Sequence, residues 1–385
     1  MAGSIRKRGE NSWEIKAELG RDPMTGKRRR IFKTIRGTKR DAEKALRDIL
    51  RSIDEGTFSA PSKITLAEFL VQWLQIHKAQ VATTTWEWYD MICHKHIIPE
   101  LGHIPLQKLT PLAVQSFYAK KLDSKTLDGK GRQLSPSSVR HIHRVLHKAL
   151  NHALKMQLIS RNPCDAVEPP KPQKKEAKFW TPEEAGQFLE AIRDDRLYAL
   201  FHLALGTGLR RGELLGLKWE SIDFAKGTLT VKEELVRRRR GTLVKEPKTE
   251  KSRRTIPLSQ ETLDVLKAHK VAQNKERLLL GDQYQNNGLV FTTVDGRPLE
   301  PTYISGDYFH RMIKKAGVRE INFHALRHTH ATLLGAAGVP IKAVSERLGH
   351  SSIAITGDIY SHVFSEMDRQ AANAFDTILR KARVR

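Results

Sequence analysis

A chain of 385 residues, 39% hydrophobic and 29% charged, is long enough for two or three cored domains and is neither a disordered nor a membrane-spanning composition. No apolar run approaches the ~20 residues needed to cross a bilayer, the N-terminus has no apolar signal core, and two cysteines, Cys93 and Cys164, supply no zinc or disulfide framework, so a reducing cytoplasm is expected. The excess of 67 Lys+Arg over 43 Asp+Glu, a net charge of +24, favours a polyanionic partner, commonly nucleic acid, over the alternative of a basic protein at a membrane surface.

Residues 1–60 read as a small β module with one helix. Trp13, Ile15, Ala17 and Leu19 alternate with Glu14, Lys16 and Glu18, the period of a half-buried strand. Asp22 to Gly26 is turn chemistry, and a further strand follows around Arg30–Ile35. Thr38 is an N-cap, with Asp41 as an acidic first-turn residue. Ala42, Ala45, Leu46, Ile49, Leu50 and Ile53 then form one apolar stripe. Arg28, Arg29, Arg30, Lys33 and Arg36 make the strand region basic. A three-stranded sheet could offer such a face to a DNA groove; a merely solvated basic face fits this segment equally well.

Residues 65–167 read as helical throughout. Leu66, Phe69, Leu70, Trp73 and Leu74 form one stripe, a helix from Thr83–Thr85 stops before Pro99, and Thr110-Pro111 and Ser135-Pro136 each open another. The last carries Arg140, His141, His143, Arg144, His147, Lys148 and His152 on its polar faces. His143 and His147 have metal-ligand spacing but no third ligand in view, and a basic helix facing phosphates is the better reading, through Arg140, Arg144 and Lys148. Residues 168–177 are rich in proline and lysine without periodicity, the composition of a linker. Beyond it Thr181-Pro182-Glu183-Glu184 opens a helix, and residues 178–385 run as helices, a β segment from about Gly227 to Pro257, and helices again.

Three short segments in this last region carry chemistry. In Leu205 to Leu214, Arg210 follows two glycines and precedes a helical pattern, where an arginine can offer a bidentate fork to phosphate. Lys245 to Leu258 reads as a β-hairpin whose tip carries Lys248 and Lys251, either able to protonate a leaving oxygen. His324-Ala-Leu-Arg327, Leu348-Gly-His350 and, ten residues later, Tyr360 supply two histidines, an arginine and a tyrosine. That set can attack a phosphodiester without a metal: the tyrosine as nucleophile, the arginine on the phosphoryl oxygens, the histidines donating hydrogen bonds or moving protons.

Together, in this order, these boxes resemble the tyrosine recombinases of the phage and conjugative-transposon integrase type. The resemblance spans nearly the whole chain. It implies a multidomain, mainly α fold with small β elements: an N-terminal three-stranded sheet plus helix (1–60) that binds arm-type DNA sites, a helical core-binding domain (65–167), and a mixed α/β catalytic domain (178–385) ending in a tail helix. It implies Arg210 and Arg327 as the phosphate clamp, His324 as the acid/base histidine, His350 bonding the scissile phosphate, and Tyr360 as nucleophile. Lys248 is the general acid by the count back from Ile256-Pro257, with Lys251 as competitor. Gly357 stands where a bulkier side chain is expected in relatives, and should loosen the tyrosine's segment.

The activity so implied is site-specific integration and excision of a mobile element through a 3′-phosphotyrosyl intermediate, with no metal, cofactor or ATP. The partners implied are double-stranded DNA at core and arm attachment sites, three further copies of the chain in a tetramer on DNA, and a host DNA-bending protein or excisionase; no membrane is implied, and the location is the bacterial cytoplasm at the nucleoid. The tail, with Met367, Ala371, Phe375, Ile378 and Leu379 at helical spacing, packs on its own domain or is exchanged with a neighbouring protomer; exchange is favoured. Two rivals share parts of the pattern: a type IB topoisomerase, against which the arm module and tail argue, and a catalytically silent DNA-binding regulator, against which the complete catalytic set argues.

Overall fold

The computed structural model describes residues 3–21, 26–55, 58–123, 133–173, 178–237, 241–245, 253–350, 352–353 and 357. The chain divides into two compact units, Met1–Lys174 and Lys175–Arg385, each with its own apolar core. Among the described residues no helix is long and apolar enough to cross a membrane.

The first unit opens with an antiparallel sheet of β1 (Gly3–Gly9), β2 (Ser12–Arg21) and β3 (Arg28–Arg36), in that order. Helix α1 (Lys39–Asp54) starts from a capping box in which Thr38 and Asp41 each bond the other's backbone amide. Ile15 and Ala17 are buried opposite Lys33 and Ile31 of β3. A Cβ at Gly3, the partner of Ala17, would lie 2.7 Å from Leu46 of α1, so this is the helix-covered face.

That register corrects one expectation. Side chains alternate across a strand, so Arg29 and Lys33 fall on the same side as Ile31 and Ile35, towards α1. Arg28, Arg30 and Arg36 share the opposite, open face with Phe32, which is 62% exposed. The basic cluster of this strand is therefore two groups, not one surface.

Helices α2 (Leu66–His77), α3 (Thr83–Ile92), α4 (Ile98–Leu101), α5 (Pro111–Asp123) and α6 (Pro136–Lys155) complete the unit. Thr65 and Glu68 close a capping box on α2, whose Leu66, Phe69, Leu70, Trp73 and Leu74 enter the core. Helix α3 ends at Ile92, before Pro99, but helical backbone continues beyond it. A π turn, Cys93–Ile97, leads directly into α4, with Pro99 in the first turn of that helix. On α6, Val139, Ile142, Leu146, Ala149 and Ala153 are buried, while Arg140, Arg144 and Lys148 are exposed at intervals of four, one outward stripe. His143 and His147 are otherwise engaged: the ring Nδ1 of His143 lies 2.8 Å from the Tyr118 hydroxyl, and Nε2 of His147 lies 2.8 Å from the Asp165 carboxylate.

The second unit contains α7 (Pro182–Ala191), α8 (Tyr198–Thr207), α9 (Arg211–Leu215), the strands β4 (Ile222–Asp223), β5 (Thr228–Val231), β6 (Glu234–Arg237), β7 (Thr242–Lys245) and β8 (Arg254–Pro257), and then α10 (Gln260–Leu280), α11 (Pro301–Tyr303), α12 (Phe309–Ala316), α13 (Ala325–Ala336) and α14 (Ile341–Leu348). Thr181 and Glu184 cap α7 reciprocally. Helix α8 is apolar on nearly every side and runs through the core formed with Trp180, Phe188, Phe291 and Phe309.

Among the described residues, the strands flanking the expected Lys245–Leu258 hairpin do not pair with each other. β7 pairs with β6, whereas β8 pairs with β5 in a separate sheet ordered β4-β5-β8. Ile256, wholly buried beside Leu229, holds β8 in the core sheet, while Leu243 of β7 is 43% exposed. Residues 246–252 connect two sheets, and Lys248 and Lys251 lie outside the described residues, as do Tyr360 and the tail beyond it.

Candidate active site

The site begins where α8 ends. Gly208 closes that helix in the left-handed region, at φ +64, and a Cβ there would come within 2.6 Å of Leu348 and 2.7 Å of His330. The chain extends through Leu209 and Arg210 and re-enters helix at α9. Glu213, in the first turn, turns back: its carboxylate accepts the Arg210 amide at 2.9 Å and the Arg210 Nη1 at 2.7 Å. Gly212 and Gly216, one helical turn apart, let α9 lie directly on the β6 backbone. A Cβ at Gly216 would stand 2.6 Å from the Leu235 amide nitrogen. Glycine is required at this crossing because two backbones touch.

Arg327 comes from the first turn of α13 and is 3% exposed. Its Nη1 donates to the Gly208 carbonyl and its Nη2 to the Leu348 carbonyl, both at 2.8 Å. Arg210 Nη2 donates to the next carbonyl, Gly349, at 2.8 Å, and Arg254 Nε donates to the preceding one, Arg347, at 2.7 Å. Three arginines from three distant segments thus each take one of three consecutive carbonyls at the C-terminus of α14. The negative end of a helix suits cations, and His350 follows immediately. Gly349 turns the chain at φ +66, with Arg254 side-chain atoms 3.0 Å from where a Cβ would be.

Arg254 also donates two bonds to Glu213, at 3.1 and 2.9 Å. Burial by itself would raise the Glu213 carboxyl; the hydrogen bonds and charge of Arg254, then those of Arg210, hold it below the ordinary carboxylate range. Among the described residues, the acceptors of Arg327 are the two carbonyls. Desolvation, reinforced by Arg210 and opposed by Glu213, lowers its pKa to about 9. Among the described residues, these three guanidiniums beside one carboxylate leave a surplus of two positive charges.

Both expected histidines belong to this cluster. His350 is half-buried, and desolvation followed by the charges of Arg327 and Arg210 lowers its pKa to about 4. His324, the N-cap of α13, stacks edge-on against His328 with ring centroids 5.0 Å apart. Desolvation, His328, Arg327, Arg210 and Arg211 all push it below the ordinary range, an effect tempered by solvent because the residue is exposed. Both rings are neutral at neutral pH, each carrying one donor and one acceptor nitrogen. His330 faces the other way, bonded to the Leu205 carbonyl and Arg347, and is structural.

Arg210, His324, Arg327 and His350 are therefore assembled around one surface, about 140 residues apart in sequence at most, while Lys248 and Tyr360 lie outside the described residues. At Gly357, three positions before that tyrosine, a Cβ would meet nothing within 4 Å. Sequence reasoning missed Glu213 and Arg254. The spacing of Glu213 from Arg210 is that of a capping box, a usable signal; Arg254 lies in a basic run with no distinguishing pattern. Among the described residues no group of three His, Cys, Asp or Glu side chains is placed to hold a metal ion.

Comparison with known proteins bears on the same regions. Residues 178–367 match the model of the phage integrase family, and residues 65–122 that of the phage integrase N-terminal SAM-like domain. A tyrosine recombinase XerC-like protein of Caldanaerobacter subterraneus subsp. tengcongensis is 34% identical, the alignment covering 97% of each chain. An integrase of Streptomyces ambofaciens is 31% identical over 97% of this chain and 95% of its own length. Among solved structures, the Tn1549 transposon integrase in complex with a circular intermediate DNA matches with a TM-score of 0.66 at 24% identity, covering 80% of this chain and 99% of that one.

Proposed function

This chain belongs to the phage integrase family of tyrosine recombinases, and from that membership we propose that it integrates and excises a mobile element, with Arg210, Lys248, His324, Arg327, His350 and Tyr360 acting on the scissile phosphate. It is a site-specific recombinase that cuts and rejoins DNA through a tyrosine.

In this reading the Tyr360 oxygen attacks phosphorus in line with the 5′-oxygen of the next nucleotide. The P–O5′ bond breaks, a 3′-phosphotyrosyl ester forms, and Lys248 supplies the proton to the departing 5′-oxygen. Tyrosine has an ordinary pKa of about 10, so its proton must leave during attack, and His324 is the neutral acceptor. Arg210 and Arg327 receive the charge that grows on the non-bridging oxygens, and His350 donates to one of them. Rejoining reverses these steps with the 5′-hydroxyl of another strand. The ester keeps the bond energy, so no ATP is consumed.

The single observation that carries the clamp is Arg327: a guanidinium almost without exposure, bonded among the described residues to two carbonyls and lowered to about 9. A buried cation so poorly compensated is a site awaiting an anion. We assign the open face of the N-terminal sheet, with Arg28, Arg30 and Phe32, to arm sites, and the stripe Arg140, Arg144 and Lys148 to core sites. Exchange between two duplexes requires four cleavages, which favours a tetramer on DNA. A DNA-bending protein or excisionase as accessory and a place at the nucleoid fit this role.

A suicide substrate, nicked near the crossover so that the cleaved end diffuses away, tests the proposal. Wild type should accumulate a covalent protein–DNA adduct and transfer strands between two duplexes; Tyr360→Phe should form no adduct. An adduct in Tyr360→Phe, or nicking without transfer, would overturn it.

A further inference from the structure

We propose that Arg254 is a positioning residue for strand cleavage: by neutralising the buried Glu213 it leaves the charge of Arg210 available to the scissile phosphate. The inference rests on Arg210 being a phosphate ligand.

Glu213 is 3% exposed, so its charge must be compensated within the protein. Two guanidiniums do this unequally. Arg254, with its side chain 8% exposed, engages both carboxylate oxygens in a fork. Arg210, with its side chain 36% exposed, gives Glu213 one Nη and directs the other to Gly349. Arg254 is committed inward and Arg210 faces out. Without Arg254, Arg210 would be the one guanidinium among the described residues still hydrogen-bonded to the buried carboxylate, and much of its positive charge would be cancelled there.

The fork has a second consequence. The third bond of Arg254 goes to the Arg347 carbonyl, one residue before the carbonyl held by Arg327 and two before that held by Arg210. Arg254 thereby fixes the Arg347–Gly349 turn against which both clamp arginines are oriented. A lysine there could neutralise Glu213 as a point charge but could not make the fork and the third bond together.

The test compares cleavage of two nicked suicide substrates at saturating DNA, one with an ordinary scissile phosphate and one with a neutral methylphosphonate there. Arg254→Gln should cleave the phosphate about ten- to a hundredfold more slowly, short of the ~10²–10³ loss of a direct donor, and the methylphosphonate at nearly the wild-type rate. DNA affinity should hardly change. Equal slowing on both substrates would overturn the inference, because a merely structural defect does not sense the charge of the reacting group. If circular dichroism shows Arg254→Gln unfolded at the assay temperature, Arg254→Lys carries the comparison: keeping a positive charge beside Glu213, it should cleave the phosphate within about tenfold of the wild-type rate, and a phosphate-selective loss as large as that of Arg210→Ala would refute the inference. Arg210→Ala is run in parallel: if its loss fails to depend on the phosphate's charge, the reading of Arg210 fails, independently of Arg254.

Discussion

Acid should open the second unit through His330, and the size of the effect follows from its surroundings. The residue is 6% exposed. Its Nδ1 lies 2.7 Å from the Leu205 carbonyl and so carries the proton, while Nε2 accepts from Arg347 Nε at 3.3 Å. A second proton, on Nε2, would face an N–H and a positive charge. Desolvation first, and Arg347 next, lower the pKa from 6.5 to about 4. In the unfolded chain the same ring titrates near its ordinary value, so between these limits the unfolded state binds more protons. Stability therefore rises with pH through this window, is fully present above about 6.5, and is lost towards pH 4. The gap corresponds to about 3 kcal/mol.

His330→Asn keeps a donor for Leu205 and removes the titration, at a cost of about 1–2 kcal/mol at neutral pH for the lost ring and acceptor. Native-state hydrogen exchange of amides in α8 and α13, corrected for intrinsic rates, reads the opening of this unit separately from the first. Other histidines with lowered pKa, His350 among them, contribute to both proteins and cancel in the comparison. The variant should lose about 3 kcal/mol less than wild type between pH 6.5 and 4. Identical pH slopes would refute the argument.

Further outcomes are expected. Gly208→Ala combines left-handed backbone strain with the clash against Leu348 and His330, and should cost about 2–4 kcal/mol in thermal or denaturant unfolding, with slowed adduct formation because the Gly208 carbonyl holds Arg327. Arg327→Met should abolish adduct formation, a loss of at least about a hundredfold, while the protein stays folded in a melt, since a buried guanidinium without a carboxylate of its own adds little stability. Arg30→Ala should weaken binding to accessory sites and reduce the salt slope by about one, leaving core-site cleavage intact. Arg29→Ala, on the helix-covered side, should change that slope less; equal effects would contradict the sheet assignment.

Much of this protein was legible in its residues because the signals are local. Thr38 with Asp41, and the apolar stripes on α2 and α6, involve neighbours within a few positions, and their hydrogen bonds or buried faces formed as their spacing indicates. The motif boxes around Arg210, Arg327 and His350 were likewise recognisable from composition and order. Arg29 and Lys33 were separated from Arg28 and Arg30 only by the strand register, since charge alone had grouped them.

Tertiary structure decided what depends on surfaces meeting across long stretches of chain. Arg327 finds the Gly208 carbonyl 119 residues away, and Arg210 finds Gly349 across 139; no local pattern encodes such pairings, because they exist only once α8, α13 and α14 have packed. The same holds for β7 and β8, adjacent in sequence yet drawn into different sheets by where Ile256 can be buried. Residue types and their order named the chemistry. Which guanidinium forks onto Glu213, and which keeps part of its side chain exposed, was settled by geometry in the folded core.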